Sequence, residues 1–103
     1  MEELLSRIND FQTVSDVFKQ LSDTSRLRIF WLLCHQEKCV SEIAELMDMT
    51  NPAVSHHLRQ LRSADLVAGQ RVGKEVYYKA ADTETARKLH EIIEQVIDRK
   101  SVV

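Results

Sequence analysis

The chain has 103 residues, of which 44% are hydrophobic and 29% charged, with two Gly, one Pro, two Cys and a net charge of −2. That length suits one domain of about 100–150 residues, and the composition excludes low-complexity, repeat and disulfide-stapled architectures. No apolar run approaches the roughly 20 residues of a membrane span, and the acidic start Met1-Glu2-Glu3 does not open a secretory signal. The expected protein is cytoplasmic, without membrane contact, and keeps Cys34 and Cys39 as reduced thiols.

Leu4, Ile8, Phe11, Val14, Phe18 and Leu21 recur every three or four residues, which predicts one or two helices from about Glu2 to Leu21. Leu4, Leu5 and Ile8 are set to pack on a partner subunit. Ser22 or Asp23 is placed to cap the next helix. Leu27, Phe30, Trp31 and Leu33 or Cys34 make Arg26–Cys34 a largely apolar core helix, with Trp31 inside. His35 to Cys39 reads as a connection. Val40, Ile43, Ala44 and Leu46 or Met47 share one face of a short helix beginning near Ser41, and Met47 to Thr50 form a tight link.

The next stretch, T-N-P-A-V-S-H-H-L-R-Q-L (Thr50–Leu61), carries the chemistry. Thr50 is a cap, and Pro52 fits a first turn, where its missing N–H costs nothing. Val54, Leu58 and Leu61 form a buried stripe that His57 adjoins. The remaining face holds Asn51, Ala53, Ser55, His56, Arg59 and Gln60, short polar groups, one small apolar residue and a cation, suited to base edges and phosphates in a DNA major groove. Short helix, tight turn and polar-faced helix make a helix-turn-helix. After Leu61 the period changes to that of two strands, Leu66–Arg71 and Glu75–Lys79, with Gly73 at the turn and Arg71 and Lys74 flanking the tip. Asp82 is placed to cap a last helix. There Leu89, Ile92, Ile93, Val96 and Ile97 build a wide apolar face, which a second subunit would cover.

The overall charge hides a basic patch. From Pro52 to Lys79 five Lys and Arg oppose two Asp and Glu, so this segment carries +3 and the remainder −5. A basic patch on an acidic body fits double-stranded DNA as partner. The sequence contains no Gly-rich phosphate loop, and no nucleophile–base set has local support, so an enzyme is not expected. A winged-helix protein–protein adaptor is the alternative; it would show an apolar or acidic face where Asn51–Gln60, Arg71 and Lys74 stand.

F-K-Q-L-S-D-T-S-R-L-R-I (Phe18–Ile29), A-V-S-H-H-L-R-Q-L-R (Ala53–Arg62), Leu66-Val67 and Val76-Tyr77-Tyr78 resemble the ArsR/SmtB family of bacterial winged-helix repressors over most of the chain. The resemblance implies a mainly α fold with a β-hairpin wing, in the order α-α-α-α-β-β-α, as a single domain 1–103. Residues 40–62 would be the helix-turn-helix, 66–79 the wing, and 1–21 and 82–100 the dimerisation helices. It further implies a homodimer on an operator palindrome, released by an inducer. Carried over position by position, Asn51, Ser55 and His56 would read bases, and Thr50, Arg59, Arg71 and Lys74 would contact the backbone.

The inducer stays open between a divalent metal ion and a thiol or redox signal. Soft-metal members resemble E-L-C-V-C-D-L, whereas this chain has E-K-C-V-S-E-I (Glu37–Ile43), with one cysteine of the two. Members that sense metals through the last helix carry histidines where this chain has Glu84 and Gln95, beside Asp82 and Asp98. Three other groupings remain. Cys34, His35 and Cys39 crowd one connection. Cys34 and Cys39 together are a redox pair. His90 and Glu94, at i and i+4, would meet their copies near the dimer axis and offer a metal two imidazoles and two carboxylates.

Overall fold

The computed structural model describes residues 1–101, with the side chains of Lys100 and Ser101 excepted. Helices α1 (Glu2–Asn9), α2 (Phe11–Leu21) and α3 (Thr24–His35) come first. Strand β1 (Lys38–Cys39), helices α4 (Val40–Met47) and α5 (Asn51–Ser63), strands β2 (Val67–Val72) and β3 (Glu75–Ala80), and helix α6 (Glu84–Ser101) follow. The core is built by Ile29, Phe30 and Leu33 of α3, Ile43 and Ala44 of α4, and Val54, Leu58 and Leu61 of α5. Leu66, Val67 and Ala86 close it from the hairpin and α6.

The architecture is the expected winged helix-turn-helix, with four corrections. The first segment divides at Asp10 into two helices, so five helices precede the hairpin. The stretch read as a connection contains β1, whose Lys38 and Cys39 pair with Tyr78 and Tyr77 to make a three-stranded antiparallel sheet in the order β1-β3-β2. Two residues are too few to show alternation, so only the neighbouring strand reveals this one. Thr83, not Asp82, caps α6. Its hydroxyl accepts from the Ala86 N–H at 3.1 Å, and Asp82 instead pairs with Arg87 at 2.6 Å. Trp31 is only half-buried; Ile29 takes the core position. The indole is drawn aside because its N–H donates to Glu94 Oε1 at 2.9 Å, which satisfies a donor that a core site would strand.

Helix α1 has no buried residue. Leu4, Leu5, Ile8, Phe11, Val14 and Phe18 of α1–α2 and Ile92 and Val96 of α6 are exposed in the single chain. Eight residues are too few to hold a helix in water by propensity alone, so α1 needs an apolar neighbour that the described residues of one chain do not provide.

Candidate nucleic-acid interface

The interface begins at the turn between α4 and α5. Asp48 ends α4 in the left-handed region at φ 54°, a conformation that Asp tolerates better than most residues. The Met49 N–H then returns to the Ala44 carbonyl at 2.9 Å, which closes α4 and turns the chain. Thr50 caps α5 by accepting from the Ala53 N–H at 3.3 Å, and Pro52 lies in the first turn. With Val54, Leu58 and Leu61 buried, the rotation of α5 is set. Thr50, Asn51, His56 and Arg59 are left exposed, and Ser55 and Gln60 half-exposed.

Helix α5 carries no acidic residue. Its exposed N-terminal turn adds the positive end of the helix dipole to the charges of Arg59 and Arg62. In the wing, Val72 and Glu75 are register partners, so Gly73 and Lys74 form a two-residue loop. Gly73 comes first, at φ +65°, the pattern of a type II′ hairpin turn. Arg71 and Lys74 stand exposed beside it. The exposed cations Arg59, Arg62, Arg71 and Lys74 outnumber the one carboxylate of the wing, Glu75, as binding along a phosphate backbone requires.

A polar link that periodicity does not reveal braces α5 from behind. Arg26 Nε donates to His57 Nδ1 at 3.3 Å, and its Nη1 donates to the buried Gln20. The Arg26 backbone N–H donates to Asp23, which caps α3 and whose carboxyl is thereby held below its usual range. Burial, aided by the Arg26 and His56 charges and opposed by Asp23, pushes the His57 imidazole below the ordinary histidine value. The neutral ring is the one that accepts from Arg26. Its contribution to stability is therefore full above the unfolded-state value near pH 6.5 and is lost as pH falls through the lower folded value. Urea midpoints at about pH 7.5 and about 5.5 should differ less in His57→Asn than in the parent chain; an equal difference would remove His57 from the acid sensitivity.

The candidate sensor residues are distributed as follows. Cys34 and Cys39 are free thiols. Burial, with the Glu94 charge, pushes Cys34 up to about 11, so it is a protonated, weak nucleophile at neutral pH. Cys39 is buried, 3.4 Å from Ser41 Oγ, and its backbone N–H donates to Glu42. Asp82 and Glu84 are held in ion pairs with Arg87, and Glu84 also with Lys88. His90 and Glu94 do meet, at 2.9 Å, but the residue that joins them is His35 of the same chain, at the end of α3. Sequence reading grouped His35 with the cysteines and missed this placement, because 55 residues separate it from His90.

A capped, anion-free helix set across a tight turn from a short helix, followed by a basic hairpin, defines a winged helix-turn-helix transcription regulator. The family model described as bacterial regulatory protein, arsR family, matches residues 23–68. A transcriptional repressor SmtB homolog from Synechocystis sp. is 39% identical over 89 residues, covering 86% of this chain and 67% of that protein. The cadmium resistance transcriptional regulatory protein CadC of Listeria innocua is 41% identical over 76 residues, covering 71% of this chain and 64% of that protein. Among solved structures, the homodimeric winged helix-turn-helix DNA-binding domain of Mb0332 from Mycobacterium bovis superposes with a TM-score of 0.77 at 33% identity, over 85% of this chain and 81% of that one. The chain belongs to the arsR family of bacterial regulatory proteins. It spans about two thirds of the length of the curated relatives it matches. The family is one of regulators, not enzymes.

Proposed function

We propose that this protein is a cytoplasmic, sequence-specific transcriptional repressor that binds double-stranded DNA as a homodimer and is released by an inducer. The observation that carries this reading is the outward face of α5, presented by the buried Val54–Leu58–Leu61 stripe and free of carboxylates. Asn51, Ser55 and His56 are the base-reading candidates, Thr50, Arg59, Arg71 and Lys74 dock on the backbone, and Gln60 is a further DNA-contact candidate. Residues 40–62 act as the helix-turn-helix and 66–79 as the wing. Residues 1–21 and 82–100 supply the dimer contacts that α1 and α6 lack in one chain. The apolar or acidic face that would favour an adaptor is not found on the described residues of α5.

Fluorescence anisotropy with an operator from the protein's own promoter, across a salt series, tests this. Arg59→Ala should weaken binding to every duplex and flatten the salt slope by about one unit, because one phosphate is no longer neutralised. Ser55→Ala and His56→Ala should instead cost about 1–3 kcal/mol for each base read on the operator while leaving random DNA unchanged. Unaltered operator binding in all three variants would remove α5 from the interface.

A further inference from the structure

His35, His90 and Glu94 converge on one point. His90 Nε2 lies 2.9 Å and His35 Nε2 3.1 Å from Glu94 Oε1, and the two ring nitrogens are 3.1 Å apart. Hydrogen bonding alone cannot satisfy this triangle while Glu94 is ionised. If both Nε2 atoms carry protons to the carboxylate, two N–H groups face each other. If only one does, the other ring's lone pair faces the carboxylate oxygen. With Glu94 ionised, every assignment of the imidazole protons leaves one contact between groups of like sign, whereas a cation turns all three atoms into ligands.

The spacing also suits a metal. Ligand atoms about 2.0–2.1 Å from a tetrahedral zinc ion lie about 3.3–3.4 Å from one another, so the triangle need open by only a few tenths of an ångström. The groups are preorganised. His90 and Glu94 occupy one face of α6 at i and i+4, and Trp31 holds Glu94 through its indole N–H. The His35 ring lies between Trp31 and His90, with centroids 4.4 and 4.8 Å away. The Trp31 hydrogen bond, followed by the two histidines, keeps the Glu94 carboxyl below its usual range. Side-chain exposures of 42% for His35, 29% for His90 and 36% for Glu94 leave a path for an ion and for a solvent ligand in the fourth position.

We propose that His35, His90 and Glu94 of one chain bind a divalent transition-metal ion of the zinc and cobalt class, and that filling this site weakens operator binding. Two imidazoles and a carboxylate select borderline ions over soft, thiolate-seeking ones. The second half of the proposal rests on the repressor reading above. Its physical route is α3, which meets α6 at this triangle and α5 through Arg26 and His57. An ion would clamp the dimer helix to the helix that braces the DNA-reading helix.

Cobalt(II) titration of metal-free protein, without DNA, tests the site. The expected result is one ion per chain, visible d–d absorption without an intense near-ultraviolet thiolate band, and displacement by zinc. His35→Gln, His90→Gln and Glu94→Gln should each abolish the absorption while keeping the parent circular dichroism. Trp31→Phe should retain it with affinity lower by about 10–100-fold, as for loss of a group that orients a ligand. Absence of cobalt binding overturns the site, as does a spectrum that survives His35→Gln and His90→Gln. So does a thiolate band that disappears in Cys34→Ser or Cys39→Ser.

Operator anisotropy then tests the coupling. Zinc should weaken binding by about 5–150-fold in the parent chain and leave His90→Gln unaffected. Metal binding without any change in operator affinity overturns the regulatory half alone. Absence of operator binding even in EDTA overturns the repressor reading, and the cobalt spectrum still decides the site.

Discussion

Val96→Asp yields a monomer whose operator affinity is lower by about 10²–10⁴-fold, because two linked half-sites are no longer engaged together. Val96 is 58% exposed on α6 in the single chain, beside Ile92, and α1 and α2 present Leu4, Leu5, Ile8, Phe11, Val14 and Phe18 at 46–61%. So many large apolar side chains on two regions of one small chain exceed what a monomer ordinarily leaves in water. A carboxylate placed among them would be buried unpaired in the dimer, at a cost of several kcal/mol. It costs almost nothing in the monomer, where the site is solvated. Sedimentation velocity and operator anisotropy check this together. A variant that stays dimeric with parent affinity would place the subunit interface elsewhere.

Phe30→Ala should destabilise the protein by about 3–5 kcal/mol. Phe30 is fully buried at the centre of the core, between Ile29 and Leu33 on the helix that contacts both α5 and β3. Alanine would remove most of a ring and leave a cavity that close-packed neighbours cannot refill. Because domains of this size are stable by only about 5–15 kcal/mol, the variant would be left with a small margin. Urea unfolding at a fixed protein concentration measures it, since dimerisation makes the midpoint concentration-dependent. A loss below about 1 kcal/mol would show that the core relaxes around the site.

The same side chains show why some parts of this molecule were legible before its fold was known. The α5 stripe was readable because Val54, Leu58 and Leu61 lie on one helix, where a spacing of three and four residues is itself a face. The cap at Thr50 and the Gly73 turn were readable for the same local reason. The position of Trp31 was not, because indole is apolar enough for a core and the Glu94 carboxylate that draws it outward lies 63 residues away. Strand β1 exists only because β3 runs beside it. The link from Arg26 to His57 and Gln20 likewise joins three helices that no local pattern relates.

Periodicity, capping chemistry and charge by themselves determined the helix-turn-helix, the basic hairpin and the apolar faces of the first and last helices. Each is specified by residues within one or two turns of one another, where backbone geometry converts sequence spacing directly into spatial spacing. Only the tertiary structure decided that His35 joins His90 and Glu94. It alone decided too that Cys34 is a half-buried, protonated thiol and that Arg26 braces the DNA-reading helix. These depend on the angles at which α3 packs on α5 and α6. Such angles arise from the summed shapes of many core side chains, and no single stretch of sequence contains them.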